Sequence, residues 1–212
     1  MSAAPGAELV VATGNEGKLR EFRSLLGELP LVLRSLREFP VVALPEEGDD
    51  YEQNALAKAR SAARQTGLPA LADDSGLEVE GLGGAPGPRS ARYGGPGLDD
   101  SGRALYLLRA LQGRSGDARR ARFVCVAALA LPDGAAWTAR GECAGVVLEA
   151  PRGHGGFGYD PVFWSSEAGA GVAELPQARK DEISHRGRAL RALRARIEER
   201  VLTSSCVRPD RG

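Results

Sequence analysis

Residues 8–26 change hydrophobic period within a single turn, and few architectures accommodate that. Residues 8–13 (ELVVAT) form a short apolar run ending at Gly14, the pattern of a buried strand. From Lys18 onward, Leu19, Phe22, Leu25 and Leu26 recur at helical spacing. A strand, a tight glycine turn and a helix in direct succession open an α/β layer fold.

The rest of the chain extends that pattern. Residues 31–33 read as a weaker strand, followed by an acidic stretch at 46–50. Residues 51–65 are helical, with Ala55, Leu56, Ala59, Ala62 and Ala63 on one face and Gly67 as the stop. A brief strand at 70–72 runs into Asp73, and residues 81–97 are dense in Gly and Pro, as in an irregular loop. Asp99 or Ser101 can cap a helix that runs to Leu111. Residues 122–131 and 136–149 read as longer strands joined by Pro132-Asp133-Gly134, whose chemistry suits a hairpin. A glycine-rich loop at 152–158 follows, and Ser184 can cap a last helix with Leu190, Leu193, Ile197 and Val201 as its inner stripe. The expected fold is a single α/β domain over residues 1–202 with a mixed twisted sheet, leaving 203–212 as a frayed tail.

Charge narrows the function. Lys plus Arg number 28 and Asp plus Glu number 28, so the net charge is 28 − 28 = 0. A protein gripping DNA or RNA along its backbone needs a basic face, so no nucleic acid polymer is expected as partner. Cys125, Cys143 and Cys206 fall in no zinc or disulfide spacing. The start lacks the basic and apolar segments of a signal peptide, and no window approaches the roughly 18 apolar residues of a membrane helix. A cytoplasmic protein without a membrane partner is the expectation.

Five segments carry possible chemistry. TGNEGK, residues 13–18, sits where a strand gives way to a helix, so backbone N–H groups and Lys18 can face an anion. It lacks the Walker A spacing and equally suits an ordinary strand-to-helix turn. ADDSG, residues 72–76, places two carboxylates at a strand end, where magnesium or a proton can be held, although Asp-Asp-Ser-Gly is also good turn chemistry. Glu46 and Glu47 can supply a second metal carboxylate or form a solvated loop. GHGGFGYDP, residues 153–161, can present Phe157 or Tyr159 to a base, or anchor those rings in the core. KDEISHR, residues 180–186, gathers Lys180, His185 and Arg186 at the expected start of the last helix. Those three can read an oxo edge or phosphate, or form the polar face of a surface helix.

In order, VVATGNEGKLREF, EQNALAKA, LADDSGLEVEGLGGAPGPRSARYGG, ARFVC, GGFGYDPVF and KDEISHRGRAL resemble the inosine triphosphate pyrophosphatase family, the dITP/XTP pyrophosphatases. The resemblance implies an elongated, two-lobed α/β fold with a central cleft, and a homodimer. It implies hydrolysis of ITP, dITP and XTP to the monophosphate and pyrophosphate, with Mg2+ as cofactor. On this likeness Thr13, Gly14, Asn15, Glu16, Gly17 and Lys18 bind the triphosphate, with Lys58 as a further phosphate contact. Asp74 is the acid–base group and a metal ligand, Ser75 touches substrate, and Glu46 is the other metal ligand. Phe157, Gly158, Tyr159 and Asp160 line the base pocket, which Lys180, His185 and Arg186 read. A nucleotide-sensing module would use the same lysines without turnover, but would leave Asp74 and Glu46 beside a phosphate unexplained.

Overall fold

The computed structural model describes residues 6–203, so Cys206 and nearly all of the expected tail lie outside the described residues. The strands are β1 (Ala7–Val11), β2 (Leu31–Ser35), β3 (Ala70–Val79), β4 (Pro86–Gly87), β5 (Arg120–Ala130), β6 (Ala136–Val147), β7 (Phe163–Ser165) and β8 (Ala170–Gly171). They form one sheet in the order β2-β1-β3-β5-β6-β7-β8, with β4 beside β3. β1 is parallel to β2 and β3, whereas every other pairing is antiparallel. The helices are α1 (Glu16–Leu26), α2 (Tyr51–Thr66), α3 (Asp100–Ala110), α4 (Gln177–Ile183) and α5 (His185–Ile197). The mixed α/β sheet expected from the sequence is therefore present. Among the described residues no helix is long and apolar enough to cross a membrane.

One register mismatch creates the site. β1 pairs with β3 only at Ala70 and Leu71, whereas β5 follows β3 from Ala70 to Val79. β3 therefore runs past the end of β1, and on that side it meets no strand until β4 reaches Leu77 and Glu78. The sequence suggested a strand of three residues ending before the carboxylates. Instead Asp73 and Asp74 lie inside a strand of ten residues. The continuous ladder with β5 overrides the local turn chemistry of Asp-Asp-Ser-Gly.

Strand alternation then sends the two carboxylates apart. Leu71 belongs to a core with Leu9, Val11, Cys125 and Leu129 beneath α1 and α5, and Leu77 and Val79 belong to another with Phe123, Leu107 and Phe163. Asp73 and Ser75 fall between those cores on the same face. Asp74 shares the opposite face with Ala70 and Ala72, under the alanine stripe Ala55, Ala59, Ala62 and Ala63 of α2.

The last helical segment is also divided. α4 ends at Ile183, and the extended backbone of Ser184 then turns the chain while its Oγ accepts the Gly187 N–H at 3.0 Å to cap α5. Lys180 is thus on α4 and Arg186 on α5, not on one helix face. Gly141 of β6 lets α5 settle on the sheet, since a Cβ there would lie 2.2 Å from the His185 carbonyl oxygen.

Candidate active site

The turn after β1 is built for an anion. Thr13 Oγ1 accepts the Asn15 N–H at 3.1 Å, and Asn15 Oδ1 caps α1 by accepting the Lys18 N–H at 3.1 Å. Gly14, Asn15 and Glu16 are exposed, and Lys18 extends to Asp73 at 3.1 Å. The first-turn N–H groups and the helix dipole favour negative charge here, and Lys18 adds a full positive one. Gly17 is required by its neighbour, because a Cβ would lie 2.6 Å from the Phe157 ring.

Next to this turn is a buried ionic pocket. Arg186 is 1% exposed, and its Nη2 donates to Asp73 at 2.8 Å and to Ser75 at 2.9 Å. Its Nε also donates to Asp73, and its Nη1 pairs with Glu21. Lys180 lies 2.6 Å from both Glu21 and Asp160. Phe157 covers both cations, with its ring centre 5.1 Å from Lys180 Nζ and 5.8 Å from the Arg186 guanidinium carbon. His185 stacks on Phe123 at 4.8 Å. Burial and the adjacent Arg186 charge push the His185 imidazole down to about 3, so it is neutral at physiological pH. Burial raises the Asp73 carboxyl, but Arg186 and Lys18 outweigh it and hold the group well below the usual carboxylate range.

These contacts commit most of the Arg186 donors. A guanidinium has five N–H groups and an ammonium three. Arg186 makes four hydrogen bonds to the protein, which leaves one of its five N–H groups uncommitted among the described residues, while Lys180 contacts two carboxylates; both side chains line the cleft. The same cleft is lined by Asn15, Lys18, Ser75 and Phe157.

On the other face of β3, Asp74 is 2% exposed. Its Oδ2 accepts from Asn54 Nδ2 at 2.7 Å, and its Oδ1 accepts the Ser75 N–H at 3.0 Å. Lys58 Nζ is 3.8 Å from Asp74 and in direct contact with Glu47. Glu46, the residue expected to hold metal, is exposed, and its partly buried neighbour Glu47 meets Lys58. Burial raises the Asp74 carboxyl, against the pull of Lys58 and the Asn54 hydrogen bond.

The structure thus gathers Lys18, Ser75, Phe157, Lys180, His185 and Arg186 in one cleft, while Asp74 and Lys58 lie across β3 from it. Gly158 donates its N–H to Asp100 at 2.9 Å. Tyr159 is an anchor: it is buried in the core and its hydroxyl donates to the Ser90 carbonyl at 2.9 Å. Asp160 accepts the Phe157 N–H at 2.8 Å, so it shapes the loop as well as holding Lys180. Sequence reasoning missed Glu21 and Asn54, and marked Asp73 only as one of a carboxylate pair, not as the partner of Arg186 and Lys18. Glu21, beside Phe22 in α1, reads as an ordinary solvated residue, and its burial depends on partners about 160 residues away.

Fold and site together define a mixed α/β protein with a cleft, lined by Lys18, Lys180 and Arg186, beyond the carboxyl ends of its parallel strands. The chain belongs to the Ham1 family, whose model matches residues 9–196. A dITP/XTP pyrophosphatase of Thermus thermophilus is 53% identical over 188 residues, covering 89% of this chain and 90% of that protein. One from Geobacter sulfurreducens is 52% identical over 187 residues, covering 88% and 94%. The solved structure of a HAM1 protein from Coxiella burnetii superposes with a TM-score of 0.81 at 42% identity, over 91% of this chain and 99% of that one.

Proposed function

We propose that this chain hydrolyses deaminated purine nucleoside triphosphates, ITP, dITP and XTP, to the monophosphate and pyrophosphate. The observation that carries this reading is the meeting of an anion-ready turn with a cleft lined by Lys180 and Arg186, both held by buried carboxylates. Water attacks the α-phosphorus, the new P–O bond forms, and the bond to the bridging oxygen of pyrophosphate breaks. Asp74 accepts the proton from the water. Lys18 and Lys58 hold phosphate oxygens.

The donor set fits magnesium, which takes one or two carboxylates and completes its shell with phosphate oxygens and water. Lys58 Nζ already stands between Asp74 and Glu47, where two carboxylates need a cation. Magnesium held by Asp74 and Glu47 would neutralise charge developing on the phosphate oxygens. If so, Glu47→Gln raises the magnesium concentration for half-maximal rate about 10-fold or more, whereas Glu46→Gln leaves it nearly unchanged. Steady-state rates across a magnesium series decide between them, and the reverse pattern moves the ligand to Glu46.

Base choice follows from the donors of Lys180 and Arg186. Hypoxanthine and xanthine carry an oxygen at C6 that accepts from Lys180 or Arg186. Adenine carries an amino group there, which leaves those buried donors unpaired at a cost of about 1–3 kcal/mol. Phe157 lines the same cleft and is an aromatic side chain there that a base would meet. The family resemblance supports a homodimer and a cytoplasmic setting, the former open to light scattering. Pyrophosphate release from ITP, with and without magnesium and against ATP, tests the whole reading. Release from ITP that needs magnesium and exceeds release from ATP is the expected result. Binding without release would make the protein a nucleotide sensor instead.

A further inference from the structure

We propose that Asn54 is a positioning residue that locks Asp74 to the acidic turn carrying Glu47. The inference rests on the pyrophosphatase reading above, in which those two carboxylates hold the metal. Asn54 lies in the first turn of α2 and is 6% exposed. Its Oδ1 accepts the Gly48 N–H at 2.7 Å, and its Nδ2 donates to the Gly48 carbonyl at 3.1 Å and to Asp74 Oδ2 at 2.7 Å. Both amide hydrogens are therefore committed, and one side chain clasps the residue after Glu47 while orienting Asp74.

The other anchors of this turn cannot do the same. Arg92 donates to the Glu47 carbonyl at 2.9 Å and Arg89 pairs with Asp49 at 2.6 Å, but neither is bonded to Asp74. Lys58 touches both carboxylates, yet its ammonium is the group that phosphate and metal would draw away. Asn54 is neutral, so it can hold Asp74 without competing with a cation for the carboxylate charge. Such outer partners commonly govern metal affinity about as strongly as a 10–100-fold change. Asparagine is also a weak helix former, and a buried one on an alanine-rich face is costly unless its amide is bonded.

The test compares the native protein with Asn54→Ala by Mn2+ titration, followed through water-proton relaxation, alongside the magnesium dependence of pyrophosphate release from ITP. Asn54→Ala is expected to weaken Mn2+ binding about 10-fold or more and to raise the magnesium requirement in parallel. The ratio of ITP to ATP turnover should stay as in the native protein, because the base pocket is on the other face of β3. Native Mn2+ affinity in the variant, even with a lowered melting temperature, would overturn the proposal. If Asn54→Ala does not fold, Asn54→Gln displaces the same amide by one methylene and must show the same loss; native affinity there also overturns it. A native protein that binds Mn2+ but does not hydrolyse ITP sinks the pyrophosphatase reading, and the Mn2+ comparison still decides the role of Asn54. A native protein that binds no Mn2+ overturns both.

Discussion

Replacing Asp74 by Asn should abolish ITP turnover, lowering kcat by about 10²- to 10⁴-fold or more, while the circular dichroism spectrum stays native. An amide cannot take a proton from water, and it offers a metal one neutral oxygen in place of a carboxylate. The fold should survive because the change is isosteric and removes a charge that is 2% exposed. One new conflict arises. Asp74 accepts at both oxygens, from Asn54 and from the Ser75 N–H, so the amide introduced by Asp74→Asn must point its NH2 at one of these donors. That mismatch costs about 1–3 kcal/mol, partly offset by the relief of charge burial. A pyrophosphate assay paired with circular dichroism checks both halves. Near-normal turnover would remove Asp74 from the chemistry, and loss of native ellipticity would make the assay uninformative about mechanism and point to a structural role.

The parts of this fold that depend on short-range chemistry were legible in the sequence. The opening strand and α1, the alanine face of α2, the hairpin at Asp133-Gly134 and the caps at Asp99 and Ser184 all stand where composition put them. What escaped notice depends on distant partners. β3 reads as a turn at Asp73 because its ladder is with β5, about 50 residues later. Once that strand is continuous, a period of two already places Asp73 and Asp74 on opposite faces. Their different environments follow: Asp73 pairs with Arg186 and Lys18, whereas Asp74 meets Asn54 and Lys58. Which of Glu46 and Glu47 meets Lys58 was likewise left open by the sequence, since it depends on which side of an irregular turn faces that lysine.

Arg186 shows the same difference in its strongest form, and its replacement should have the second large effect. In sequence it suits the polar face of a terminal helix; in the structure it is among the largest fully buried side chains. Arg186→Ala strips the guanidinium from Asp73 and Glu21 together. Lys18 and Lys180 remain to those carboxylates, but neither supplies a planar fork. Breaking a buried pair from one side typically costs about 3–5 kcal/mol. For a chain of this size that corresponds to a melting temperature lower by about 6–20 °C. Arg186 also lines the cleft, so the variant should lose base discrimination as well. The ITP:ATP ratio of kcat/KM should fall about 10-fold or more, equivalent to about 1.4 kcal/mol. Thermal melting and steady-state kinetics, the latter run well below the variant's melting temperature, separate the two consequences. An unchanged ITP:ATP ratio in a folded but destabilised variant would confine Arg186 to holding Asp73 and Glu21, and base reading would pass to Lys180 alone.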